Sequence, residues 1–108
     1  MKYRVILQPR ARQDIEAQYR QIAIHSPSAA ANWFNRILTA LEGLSRMPER
    51  CAIARESDLV GREIRQFLFG KRAGVRSVLF VIKGDIVRIL AVRHSAQSEI
   101  TAEDLWNG

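Results

Sequence analysis

Residues 62–94, REIRQFLFGKRAGVRSVLFVIKGDIVRILAVRH, constrain the fold more than any other stretch of the chain. An apolar run, Val78-Leu79-Phe80-Val81-Ile82, and a nearly all-apolar one, Ile86 to Val92, stand on either side of Lys83-Gly84-Asp85. Short runs rich in β-branched residues read as strands inside a sheet, because a strand covered on both faces has no polar side to show. The polar link with its glycine reads as a hairpin loop. Upstream, Ile64–Phe69 reads as a further strand, and Gly70-Lys71-Arg72-Ala73-Gly74 as a glycine-bracketed turn. Three consecutive strands must then be covered by whatever precedes them.

The first half of the chain supplies that cover. Tyr3–Leu7 is short, rich in β-formers and bounded by Pro9, so it predicts an opening strand. Pro9 suits the first turn of a helix, where its missing N–H costs nothing. Ile15, Tyr19, Ile22 and Ala23 then recur at helical spacing, with Arg12, Asp14, Glu16, Gln18 and Arg20 read onto the other faces. Ser26-Pro27 restarts the pattern as N-cap and first helical residue. A second stripe of Ala30, Phe34, Ile37, Leu41 and Leu44, widened by Trp33 and Leu38, runs to Met47-Pro48. Trp33 and Phe34 read as core residues. Two amphipathic helices joined by a few residues form an antiparallel hairpin, and each large apolar side chain favours burial by about 1.5–3 kcal/mol. Glu49–Gly61 lacks a period and reads as a connection with one short turn. Thr101-Ala102-Glu103-Asp104 resembles a capping box and predicts a final short helix with Leu105 and Trp106. The expectation is an α+β fold of order β-α-α-β-β-β, a helical hairpin on one face of a small, mostly antiparallel sheet. A chain of 108 residues is one domain by length, so residues 1–108 read as a single unit.

Composition narrows the function classes. The single Cys51 excludes a disulfide framework and any multi-cysteine metal site, and no cofactor motif is present. No apolar run approaches the length of a membrane span, and charged residues interrupt the first 20 positions. A soluble cytoplasmic protein that does not enter the membrane is expected. The net charge of +6 is uneven, with eight Lys/Arg against two Asp/Glu in residues 62–94. A basic strand region favours a polyanion or an acidic protein partner, although a solvated basic face has the same composition.

The element order, together with YRVILQPRARQDI at the start, Arg62-Glu63-Ile64-Arg65, Ser77 to Ile82 and Val87 to His94, resembles the RelE/ParE superfamily of toxins from bacterial type II toxin–antitoxin systems. The resemblance covers residues 3–96. It implies a growth-inhibiting toxin of a plasmid-stabilisation or addiction module, neutralised by an antitoxin encoded beside it. Two mechanisms follow from it. RelE-like members bind the ribosomal A site and cleave mRNA as mRNA interferases, whereas ParE-like members poison DNA gyrase and need no catalytic residues. A third possibility is a degenerate toxin that retains antitoxin binding and operon co-regulation. A homodimer or a toxin–antitoxin hetero-oligomer is compatible with each.

Ribosome-dependent cleavage requires a general acid and base and cationic groups for the charge on phosphorus. If the chain is RelE-like, the resemblance puts these roles on Arg65, Arg76, His94 and Lys71. Phe67, however, stands where a second basic residue would be, and the expected arginine position holds Ser77, with Arg76 one residue away. In a strand that step moves the side chain to the other face. Thr101 stands in place of a catalytic tyrosine, and Ser or Thr does no acid–base work without an activating partner. His94 is a candidate acid–base because imidazole titrates near neutral pH; counted along the strand it shares parity with Arg88, Leu90 and Val92. A strand-end histidine bonded to backbone is the structural alternative. Arg62, Arg65, Lys71, Arg72, Arg76 and Arg93 are the candidate basic patch, suited to phosphates or to acidic side chains of an antitoxin. The missing nuclease residues favour the ParE-like reading.

Overall fold

The structure, a computed structural model, describes residues 2–94 and residue 101. The expected C-terminal helix around Leu105 and Trp106 lies outside the described residues. Strand β1 (Arg4–Leu7) leads into helix α1 (Pro9–His25), and helix α2 (Pro27–Glu42) follows after a single residue, Ser26. Ser26 serves both helices. Its N–H donates to the Ile22 carbonyl to finish α1, and its hydroxyl accepts from the Ala29 N–H to begin α2. The joint is therefore tighter than the few residues expected.

Helix α2 stops at Glu42, before Met47-Pro48, and tightens into a 3₁₀ turn at Gly43–Ser45. Met47 then adopts the left-handed conformation, with φ of 49°, and a second 3₁₀ turn covers Pro48–Arg50. The segment read as a plain connection holds two further elements, a two-residue strand β2 (Ala52–Ile53) and one helical turn α3 (Ser57–Val60). Three strands complete the fold: β3 (Arg65–Phe69), β4 (Arg76–Lys83) and β5 (Ile86–His94). The sheet order is β1-β5-β4-β3-β2. All neighbours are antiparallel except β1 and β5, which pair in parallel from Arg4 opposite Ile86 to Leu7 opposite Ile89.

The two faces of the sheet bury different sets. Ala11 and Ile15 from α1, with Trp33, Ile37 and Leu41 from α2, pack on Val78, Phe80, Val87, Ile89 and Val92. The other face buries Ala54, Ile64, Leu79, Val81, Leu90 and Ala91, with Val60 of α3 against them. Both faces of β4 are therefore apolar, which is why its sequence shows no alternation. A bulge interrupts the β4–β5 ladder. Leu79 faces Ala91 and Phe80 faces Ile89, so Leu90 is an extra residue on β5. The bulge reverses the strand parity beyond it. Arg88 faces Val81 on the face away from α1 and α2, whereas Val92 faces Val78 and His94 faces Arg76 on the face that carries them. Simple alternation would put His94 on one face with Arg88, Leu90 and Val92; the bulge leaves it with Val92 alone.

The turn between β3 and β4 depends on Gly70. Its φ is +95°, and a Cβ there would sit 2.7 Å from the Gly74 carbonyl oxygen. Backbone strain and a clash with backbone act together, so Gly70→Ala is expected to cost about 1–3 kcal/mol, measurable by urea denaturation.

Candidate functional site

Arg76 is the centre of the site. It opens β4, where Gly74 and Val75 bring the chain out of the turn, and among the described residues it is one of three buried polar or charged ones, with Asp14 and Gln18. The three belong to one network. The Arg76 Nε–H donates to Gln18 Oε1, and Arg76 Nη1 donates to the Gly74 carbonyl at 2.6 Å. The Gln18 amide in turn donates to the Val92 carbonyl at 2.9 Å, while the Val92 N–H donates to Asp14 Oδ2 at 2.9 Å. Arg10 Nε closes the series on Asp14 Oδ1 at 3.1 Å. The Arg76 guanidinium also lies over the Trp33 ring, 5.5 Å from its centre.

This arrangement has a simple structural reason. β1 pairs with β5 only between Ile86 and Ile89. Beyond that point the backbone of β5 needs other partners. Asp14 and Gln18, one turn apart on α1, take the N–H and the C=O of Val92 and close that part of the edge. Polarity alone puts them on the solvent side of the helix, yet both are buried. Their spacing agrees with the burial: Ala11, Ile15, Gln18 and Ile22 form a single helical stripe.

Arg76 and His94 are directly opposite across the β4–β5 ladder. Ser77 falls on the other face, where its hydroxyl donates to Gln66 Oε1 at 3.0 Å. Burial pushes the Arg76 guanidinium below its ordinary value, since desolvation disfavours the charged form. What the pair can do chemically is therefore narrow. Arg76 offers a recessed positive charge, and His94, half-buried and opposite it on the ladder, is of a residue type suited to proton transfer.

Arg65 does not join them. It faces Phe80, whereas Arg76 faces Phe69, four residues further along β3. That is about 14 Å along the sheet, with Phe67 and Val78 between. The Arg65 guanidinium is engaged elsewhere: Nη1 donates to the carbonyls of Glu49 and Cys51 at 2.8 and 2.7 Å, and Nη2 to Glu63 Oε1 at 2.8 Å. It pins the Pro48–Arg50 turn and β2 to β3. Lys71 and Arg72 are exposed in the turn after β3, whereas Arg62 is exposed before it. Arg93 faces Ser77, on the opposite side of the sheet from Arg76. Of the candidate residues, the structure thus brings together Arg76 and His94, and sets Arg65 four residues along the sheet and Arg93 on its other face.

Trp33 is 9% exposed, so it belongs to the core as expected and presents no docking surface; Phe34 is half-buried and meets Tyr19 edge to face at 5.7 Å. Cys51 is half-buried, and burial raises its thiol more than Arg50 and Arg65 lower it. Less thiolate is then present at any given pH, so alkylation by iodoacetamide between about pH 7 and 9 should be slower than for free cysteine. A rate equal to that of glutathione would contradict the burial. Among the described residues no group of His, Cys, Asp and Glu is placed to hold a metal, and no helix is long and apolar enough to cross a membrane.

The comparisons with known proteins agree with this architecture. Among solved structures, a chain described as "Chromosomal ParDE TA system from P. aeruginosa" superposes with a TM-score of 0.70 at 20% identity, over 86% of this chain and 96% of that one. At that identity the likeness is one of fold. No curated protein matches the sequence. The family model described as "ParE toxin of type II toxin-antitoxin system, parDE" matches residues 5–99, from the opening strand to beyond His94. A match over that span leaves no element of the described fold outside it: the chain belongs to the ParE family of type II toxin–antitoxin toxins.

Proposed function

We propose that this toxin arrests growth by binding a protein target, DNA gyrase, without cutting RNA, and that a cognate antitoxin neutralises it in the cytoplasm. The observation that supports this reading most is the position of Arg76. A guanidinium that stabilises charge on a scissile phosphate must meet it at hydrogen-bond distance. Arg76 is only 9% exposed, and its Nε and Nη1 already hold Gln18 and the Gly74 carbonyl, which leaves Nη2 alone to meet an oxyanion where a phosphorane needs several donors. Arg65, the other arginine such a site would need, anchors two backbone carbonyls. A non-catalytic inhibitor requires neither. Membership of the ParE family points the same way.

The test is supercoiling of relaxed plasmid by purified gyrase in the presence of the purified toxin. Inhibition that is relieved by adding the cognate antitoxin supports the proposal. Unaffected gyrase, at toxin concentrations that stop growth, would remove it.

One observation favours the RelE-like alternative. Arg76 and His94 are cross-strand neighbours, as a cation and an acid–base working on one phosphate would be. If His94→Ala abolishes toxicity while leaving the fold and antitoxin binding intact, that reading gains.

A further inference from the structure

We propose that the groove at the hairpin end of the two helices is a binding site for a carboxylate side chain of a partner protein, with Arg76 as its cationic floor. The groove has a volume of about 490 Å3, and Gln18, Gln21, Ile22, His25, Ala29 and Arg76 line it. The last turns of α1 form one wall and the first turn of α2 the other.

Three features specify the ligand. Arg76 is nine-tenths buried, and among the described residues no carboxylate reaches it. Two of its nitrogens are satisfied, by Gln18 and the Gly74 carbonyl; Nη2 donates to no described residue. A buried cation without a counter-ion is costly, and an acidic group arriving in the groove would supply one. The second feature is the lack of further positive side chains. Among the described residues no Lys and no other Arg lines the groove, whereas nucleic acids are held by several exposed cations along the backbone. A single recessed guanidinium fits one carboxylate better than a run of phosphates. Third, Ile24 also lines the groove and is 77% exposed. An acidic residue next to an apolar one in the partner would engage Arg76 and Ile24 together. The positive end of the α2 dipole adds to the same field. The site does not depend on whether gyrase is the target.

The experiment is a titration of the isotope-labelled, full-length protein with acetyl-Glu-Leu-amide, followed by nuclear magnetic resonance at the Arg76 Nε–H and the Gln18 side-chain amide. Acetyl-Gln-Leu-amide and inorganic phosphate are the comparison ligands. Saturable shifts are expected with the glutamate peptide, with affinity about tenfold or more below it for the glutamine peptide, as loss of a charged hydrogen bond requires. Equal responses to both peptides would reduce the groove to an apolar contact and overturn the proposal. So would the absence of any saturable shift, or tighter binding of phosphate. Because Arg76 substitutions affect the core, a surface variant supplies the independent arm. Gln21→Glu places a carboxylate in the groove itself, in the last turn of α1, where the helix dipole disfavours it. It is expected to shift the Arg76 Nε–H as the peptide does, to raise the melting temperature and to abolish the peptide response. A Gln21→Glu protein that still binds the glutamate peptide unchanged would overturn the site.

Discussion

Phe80→Ala is expected to lower the free energy of unfolding by about 3–5 kcal/mol, a large share of what holds a domain of this size together. Phe80 is among the largest fully buried side chains. It lies at the middle of β4, next to the bulge, facing Ile89 on one side and Arg65 on the other. Truncation removes the transfer energy of the ring and leaves a cavity that the helices close only in part, because the sheet fixes the other wall. Urea denaturation at unchanged m-value measures it. A loss below about 1 kcal/mol would mean that the helical hairpin settles into the space and that the core between helices and sheet is far looser than drawn.

Gln18→Leu is expected to cost about 2–5 kcal/mol, although glutamine and leucine differ little in size. The change strands two buried groups at once, the Val92 carbonyl and the Arg76 Nε–H, and each unsatisfied group costs about 1–3 kcal/mol. Gln18→Glu separates the two roles. The carboxylate keeps an acceptor for Arg76 and adds an ion pair, yet it has no donor for Val92. Its cost should therefore be smaller than that of leucine, and the comparison is made by urea denaturation of both variants. If Gln18→Leu is neutral, the network from Arg10 to Gly74 does not hold α1 against β5.

These two residues also mark where sequence reading succeeds and where it stops. Phe80 was legible: it stands in a five-residue apolar run, and such runs signal buried strands whatever their partners. The helices were legible from their stripes and from Ser26-Pro27 and Pro9. Partner choice was not. Periodicity carries no information on which strand lies beside which, so the parallel pairing of β1 with β5 appears only in three dimensions. The bulge at Leu90 was hidden because Leu90 and its neighbours Ile89 and Ala91 are all apolar, so an inserted residue leaves no break in the pattern. That one residue decides the face on which His94 lies. β2, with two residues, is too short to have a period. In the site, the residue type of Arg76 was visible from the start, but its burial depends on Asp14 and Gln18, two polar residues on the core-facing side of α1. A polar side chain on a helix reads as solvated unless a buried backbone group needs it, and that need arises from the length of β1.

The claim that matters most is that this toxin acts without chemistry of its own. Primer extension across translated messages, after induction of the toxin in growing cells, tests it most directly. Growth is expected to stop with no cuts inside codons. Cuts within codons at the ribosomal A site that appear on induction, and that disappear with His94→Ala, would contradict a non-catalytic mode of action and give Arg76 and His94 the roles of a nuclease.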